Sequence, residues 1–225
     1  MKKKKIIILV LCTVLAAGAV FFAGRSFAAY YKEKAETTLY KLKDPVSVIN
    51  EEYARENMII DYVYDVSDIA KNAGWADYVF VAEVNKVRGV RYSDVELSER
   101  LYLHSEPRTE YEITVKQNLK GNLKTEEPIT LFKGEGVYLH HKMTNLYQGD
   151  MLPDEGHCYL FLASGGEDGE LYTHGNHGNE YLCTIGELSS SENAAEVIER
   201  YETAVDNMDE SVRIGERFTS KYEAE

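Results

Sequence analysis

Apolar and polar residues alternate most regularly in the stretch that begins at Tyr111. This alternation predicts a strand with one face in a core and the other in water. A polar turn region at 120–122 and a second apolar run from Ile129 to Phe132 then predict a β-hairpin with a longer loop. The apolar face of the first strand is predicted to contain Tyr111, Ile113, Val115 and Leu119.

Three further kinds of strand follow from the pattern. In the run YVFVAEV, Phe80, Ala82 and Val84 share one face, whereas Val79 and Val81 share the other, where Glu83 and Asn85 return to water, which indicates a first long strand. The continuous apolar run from Cys158 to Ala163 is typical of a strand buried on both faces. Shorter strands are predicted at 58–64, 171–173 and 181–185, and long irregular loops at 88–107 and 142–156.

Helices are predicted on either side of these strands. Residues 30–57 read as helical and are divided by Pro45. Ser67 is predicted to cap a short helix that ends at Gly74. Ser189 and Glu192 have the spacing of a capping box before a long C-terminal helix. That helix carries one apolar stripe, which either docks on its own domain or mediates self-association: Val197, Tyr201, Val205, Met208 and Val212.

Short strands separated by long loops favour a small antiparallel β-barrel over a βαβ fold. The predicted fold class is therefore mainly β with flanking helices (α+β). Four regions are expected: an N-terminal membrane anchor or signal segment (1–29), a helical connector (30–66), the barrel domain (67–187) and a C-terminal amphipathic helix (188–225).

The N-terminus has the features of a membrane segment. Lys2 to Lys5 precede Ile6 to Gly24, which contains no charge and would span ~28 Å as a helix, close to the hydrocarbon thickness of a bilayer. The lysines predict a cytoplasmic N-terminus and an extracytoplasmic domain. Because the apolar core is longer than that of most signal peptides, an uncleaved single-pass anchor is favoured; cleavage after Ala28 would give a secreted protein.

Charge excludes one class of partner. The chain has 225 residues, with 25 basic and 38 acidic side chains. Lys2 to Lys5 and Arg25 are the only charges before Tyr30, which leaves 20 basic residues and a formal net charge of −18 after it. A surface of this kind lacks the basic footprint that nucleic acid and anionic lipid require, but it suits a basic partner.

Cys158 and Cys183 are the two cysteines of the predicted exterior part. An extracytoplasmic compartment permits disulfides. If their strands are neighbours, a bridge is expected, with ~3 kcal/mol of stabilisation through loop closure. The alternative is two buried thiols on strands too far apart to join.

Five of the six histidines fall between His140 and His177. Zinc prefers imidazole ligands, and catalytic zinc sites use three protein ligands. His157, His174 and His177 are therefore the candidate metal ligands, although their spacing does not match HExxH. The alternative interpretation, which we favour, is that they are polar loop and strand-edge residues, with no metal or other cofactor.

The strand series resembles the netrin-like domain known from tissue inhibitors of metalloproteinases and from exported bacterial proteins. The resemblance covers 67–185 and rests on Ala76-Asp77, on Leu119-Lys120-Gly121, and on Gly156 with Tyr159, Leu160 and Phe161. It implies an OB-type five-stranded barrel. The animal inhibitors begin this domain with a cysteine whose free amino group binds the protease zinc, and no such cysteine is present here, so protease inhibition is not expected.

The sequence contains no convergent set of catalytic acid, base or nucleophile, so no catalytic residue is assigned. The favoured hypothesis is a membrane-anchored, extracytoplasmic binding or scaffold module that contacts another envelope or extracellular protein. A groove lined by exposed tyrosines, without a buried polar cluster, would support it.

One alternative is a metal sensor or metal-dependent hydrolase that uses the histidines. The other is a structural envelope protein that oligomerises through Val197, Tyr201, Val205 and Met208 of the C-terminal helix.

Overall fold

The computed structural model describes residues 54–58, 64–92, 107–138, 143–147, 149–173, 175 and 177–224. All of them belong to one unit, Pro45–Glu225. The predicted membrane anchor or signal segment (1–29) and most of the predicted connector lie outside the described residues. The elements, in chain order, are β1 (Ala54–Met58), α1 (Ile69–Trp75), β2 (Tyr78–Tyr92), β3 (Pro107–Lys120), β4 (Pro128–Lys133), β5 (Gly136–Tyr138), β6 (Met143–Tyr147), β7 (His157–Gly165), β8 (Leu171–Thr173), β9 (Asn179–Thr184), α2 (Glu192–Asp206) and a 3₁₀ turn (Glu210–Val212).

The described part is mainly β with flanking helices, which confirms the predicted class. The larger sheet has six strands in the order β2-β3-β4-β8-β7-β9, and β2 also pairs with β7. It is mixed rather than purely antiparallel, because β4 and β8 run parallel. The hairpin prediction is confirmed by the antiparallel pairing of β3 with β4.

A second sheet holds three strands in the order β1-β6-β5. It corrects two predictions. The helical prediction for 30–57 is wrong at its end, where Ala54–Met58 form a strand, and residues 59–63 of the strand predicted at 58–64 lie outside the described residues. The loop prediction for 142–156 is wrong at Met143–Tyr147, which pair with both β1 and β5.

Side chains from the two faces of β2 enter two different cores, whereas the prediction had the second face return to water at Glu83 and Asn85. Phe80, Ala82 and Val84 pack in the first core with β3, β4, β7 and β8. Val79 and Val81 pack in the second core with α1 and α2. The run from Cys158 to Ala163 in β7 likewise contributes to both cores, which confirms that it is buried on both faces.

One residue of β3, Leu119, lies on the face opposite to the predicted one. Tyr111, Ile113 and Val115 lie in the first core, but Leu119 packs against the second. The pairing with β2 shifts between Val115 and Gln117, so β3 carries one extra residue there. Because a bulge of one residue exchanges the two faces of a strand, Leu119 changes side.

The strands β2 and β3 are longer than predicted. Residues 88–92 and 107, expected to belong to a loop, and residues 108–110 continue the ladder as far as the pair Tyr92 and Pro107. Apolar alternation is absent there because charged residues occupy the strands: Glu110 has a buried side chain and pairs with the half-exposed Arg88.

The helix α2 docks on its own domain. Val197 and Tyr201 are 4% and 3% exposed in the second core, and Val205 and Met208 pack against the same core. Of the two roles predicted for the stripe, docking on its own domain is therefore the one that the structure shows. The N-cap is Ser191, whose side chain accepts from Ala194 N, rather than Ser189.

The helix α1 also begins differently from the prediction. Its N-cap is Asp68, which accepts from the backbone N–H groups of Ala70 and Lys71, whereas Ser67 hydrogen-bonds to Asp65 instead. Gly74 lies inside the helix rather than after it. A Cβ at this position would come within 2.1 Å of Asp209 O, so Gly74 permits close contact with the chain that follows α2.

The predicted C-terminal helix over 188–225 is wrong beyond Asp206. After the 3₁₀ turn, the residues 213–224, here called the C-terminal tail, run back along the larger sheet. Ser220 N donates to Tyr78 Oη over 2.8 Å, and Lys124 N donates to Tyr222 O over 2.9 Å. The tail passes so close to β7 that a Cβ at Gly165 would lie 2.0 Å from Phe218 O.

None of the helices in the described ranges is sufficiently long and apolar to cross a bilayer. The predicted anchor, Ile6 to Gly24, lies outside those ranges.

Candidate functional site

Three charged side chains meet in the interior where the two sheets join. Lys133 ends β4, Glu135 lies in the connection to β5, and Asp150 follows β6. Lys133 Nζ lies 2.9 Å from Glu135 Oε1 and 2.7 Å from Asp150 Oδ2. All three side chains are at most 1% exposed. We call this group the buried charge cluster.

Backbone contacts hold Glu135 in place. Thr109 of β3 donates to the Glu135 carbonyl from Oγ1 over 2.6 Å, and from its backbone N over 3.2 Å. Tyr147 N of β6 donates to Glu135 Oε2 over 3.3 Å. One residue therefore connects the six-stranded sheet to the three-stranded sheet.

The buried charge cluster holds two carboxyl groups and one ammonium group. Burial raises the pKa of Glu135 to about 8; Lys133 opposes this shift, and Asp150 adds to it by its charge and a hydrogen bond. Burial, followed by the charge of Glu135, also raises the pKa of the adjacent Tyr111 hydroxyl well above its usual value. The cluster can therefore hold a proton near neutral pH, but its burial leaves no access for a substrate.

This cluster corrects one expectation. The favoured hypothesis called for a structure without a buried polar group cluster, and the described residues contain one. The sequence pattern predicted Asp150 only as part of the loop at 142–156 and predicted no strand or helix at 134–136. One sequence feature could have indicated the buried charge cluster. Lys133 directly follows the apolar run from Ile129 to Phe132, and the acidic residue Glu135 comes two residues later.

The candidate metal ligands lie in different settings. His157 Nδ1 donates to the Glu155 carbonyl over 3.0 Å, and its ring lies 5.7 Å from that of Tyr181. His177 is exposed and has a φ of 66°. His174 lies outside the described residues. Within the part of the chain that the structure describes, no group of three or more His, Cys, Asp or Glu side chains is placed to hold a metal.

Cys158 and Cys183 lie directly opposite each other on β7 and β9, so the strands are neighbours as the disulfide prediction required. Both are buried free thiols in this structure. Burial, followed by the neighbouring Cys183, raises the pKa of Cys158 to about 12. Thiolate chemistry at Cys158 is therefore suppressed in the folded protein.

The outer surface offers a groove between the two helices. It has a volume of about 500 Å³ and opens to solvent. No tyrosine lines it, contrary to the predicted tyrosine-lined groove; its walls are Ile69 and Ala70 of α1 and Glu196, Glu199, Arg200, Thr203, Ala204 and Asn207 of the α2 side. We call it the interhelical groove.

Comparison with protein-family models and with curated proteins finds no match for this chain.

Proposed function

We propose that this chain is a membrane-tethered, extracytoplasmic binding or scaffold module built on an OB-type barrel, with no catalysis of its own. The proposal carries forward the netrin-like resemblance.

The observation that carries it is the ring of strand pairings. β2 pairs with β3, β3 with β4, β4 with β8, β8 with β7, and β7 pairs again with β2. A circuit of five strands is what a small OB-type barrel requires. Alternate residues of these strands, such as Phe80, Ile113 and Phe161, fill the first core, which would be the barrel interior.

A closed interior also supports the proposal that the domain has no catalysis of its own. The first core is filled by apolar and aromatic side chains. The buried charge cluster lies beside it, and its ammonium group pairs with both carboxyl groups while all three side chains are at most 1% exposed. Interaction with other molecules would then take place on the outside of the barrel and its helices.

The membrane tether is inferred from Lys2 to Lys5 and the apolar run from Ile6 to Gly24, with the domain on the extracytoplasmic side. The net charge of −18 after Tyr30 disfavours nucleic acid as a partner. We therefore propose another envelope or extracellular protein as the partner.

Proximity labelling on intact cells tests this function. A labelling enzyme is joined to the C-terminus through a flexible linker, and the control carries residues 1–29 joined to the same enzyme. We expect the full chain to label a reproducible set of exported proteins that the control does not. Identical sets from both fusions would contradict a binding function, and labelling of cytoplasmic proteins would contradict the orientation.

A further inference from the structure

The interhelical groove has a rigid apolar floor. Ile69 packs against the second core, and Ala204 is 4% exposed within it. The hydrogen bond from Asp209 N to Ala70 O, 3.3 Å long, ties the chain after α2 to Ala70, one of the residues that line the groove. The floor is thus preformed by side chains that the fold already holds in place, as small-ligand and peptide sites usually are.

The long wall of the groove follows the axis of α2. Glu196, Glu199, Thr203 and Asn207 are spaced by three, four and four residues, which places them along one side of the helix. This row is about 16 Å long at the rise of an α-helix. A groove of this length suits an elongated segment of about three helical turns.

The wall is acidic where it borders the groove. Of the α2 residues that line it, Glu196 and Glu199 are acidic and Arg200 is basic. Arg200 is hydrogen-bonded to Glu180 of β9, with Glu196 a weaker electrostatic neighbour. On α1, Lys71 lies 3.5 Å from Asp68. These two cations are therefore engaged with other carboxylates, and Glu196 and Glu199 are exposed.

We propose that the interhelical groove is a docking site for a basic amphipathic segment of a partner protein, whose apolar face contacts Ile69, Ala70 and Ala204 and whose lysines or arginines pair with Glu196 and Glu199. This inference rests on the proposed binding function and names the surface and the partner's chemistry. Exposed ion pairs give modest affinity and strong salt dependence, so the contact is sensitive to ionic strength.

The test uses the full chain in nanodiscs of zwitterionic lipid. The probe is a fluorescent synthetic peptide of leucine and lysine with the leucines on one helical face, and empty nanodiscs give the background. Fluorescence anisotropy reports the dissociation constant. We expect saturable binding above background that weakens as salt rises from ~0.05 to ~0.5 M.

Paired charge reversals locate the site. Glu196→Lys with Glu199→Lys is expected to weaken binding about tenfold. Glu202→Lys with Asp206→Lys changes the net charge equally on the same helix but outside the groove, and is expected to change affinity less than about twofold. Equal weakening of binding by both double substitutions would show that binding depends only on net charge, and would overturn the proposal.

A steric variant provides independent support. Thr203→Trp fills the groove without changing charge and is expected to abolish the saturable phase, whereas Ala195→Trp, exposed on the same helix but outside the groove, is expected to leave it intact. Full binding by the Thr203 variant overturns the docking site, as does the absence of saturable binding to the parent. Either result combined with a specific set in the proximity-labelling experiment leaves the general binding function standing.

Discussion

At the scale of single residues, the least expected feature is the buried charge cluster. Two carboxyl groups and one ammonium group leave a surplus negative charge in a dry environment, which is costly unless a proton neutralises it. Glu135 is the group that carries this proton, because its pKa in the folded protein is raised to about 8, compared with 4.5 for an unperturbed glutamate. Folding therefore raises its proton affinity.

The consequence is a specific pH dependence. A folded state that binds the proton more tightly than the unfolded state loses stability as pH rises between the two pKa values, here from about 4.5 to about 8. Glu135→Gln cannot ionise, so we expect its free energy of unfolding to fall less steeply than that of the parent across this window. Urea denaturation at a series of pH values measures it, with the exposed Glu216→Gln as the control. Parallel curves for the parent and Glu135→Gln would contradict the assignment.

The paired cysteines allow a second prediction at this scale. Cys158 and Cys183 face each other across β7 and β9, but burial raises the pKa of Cys158 to about 12 and leaves little thiolate. We expect the folded, reduced protein to resist oxidised glutathione, whereas refolding in its presence forms the bridge. Alkylation after denaturation, read by mass spectrometry, counts the free thiols at Cys158 and Cys183. Two alkylated thiols after oxidative refolding would contradict the prediction.

At the scale of elements, the role of the apolar stripe on α2 depends on which surface the stripe packs against. The sequence identified the stripe but left docking and self-association open. Val197 and Tyr201 are buried in the second core, so the stripe stabilises its own domain. Self-association through it would require α2 to leave the sheet.

Val205→Glu separates the two roles. Placing a carboxylate against the second core is expected to lower the free energy of unfolding by about 2 kcal/mol. The molecular mass in solution is expected to stay the same as that of the parent. Size-exclusion chromatography with light scattering, alongside a thermal melt, gives both quantities, and Glu202→Ala on the exposed face serves as the control. A smaller assembly for Val205→Glu would support oligomerisation through α2.

At the scale of the whole molecule, periodicity was a good guide wherever a strand contributes to a core. β2 and β7 were identified because their apolar runs, which include Phe80 and Leu160, supply both cores, and β3 and β4 because alternate residues such as Ile113 enter the first core. The C-terminal tail was missed because its contacts with the sheet, for example Ser220 with Tyr78, are mostly hydrogen bonds and leave no apolar period. The buried charge cluster was missed because Lys133 and Glu135 look like surface residues in sequence.

The interhelical groove could not be found from sequence either. Its floor combines α1 with α2, which are separated by more than a hundred residues of chain. Only the second core, which gathers Ala73, Val79 and Val197, brings these two helices together. The acidity of α2 was visible, but nothing in the chain indicated which side of that helix would border a groove.

The proposed barrel depends on the pairing of β2 with β7, because this contact returns the circuit of strands to its start. The same pairing sets the second core beneath α2. NMR of the isotopically labelled full chain tests it through cross-strand proton contacts. We predict contacts between Val81 and Leu160 and between Phe80 and Phe161, in addition to those between Ala82 and Val115 that join β2 to β3. A spectrum with the β2–β3 contacts but none between β2 and β7 would contradict the barrel and the function proposed for it.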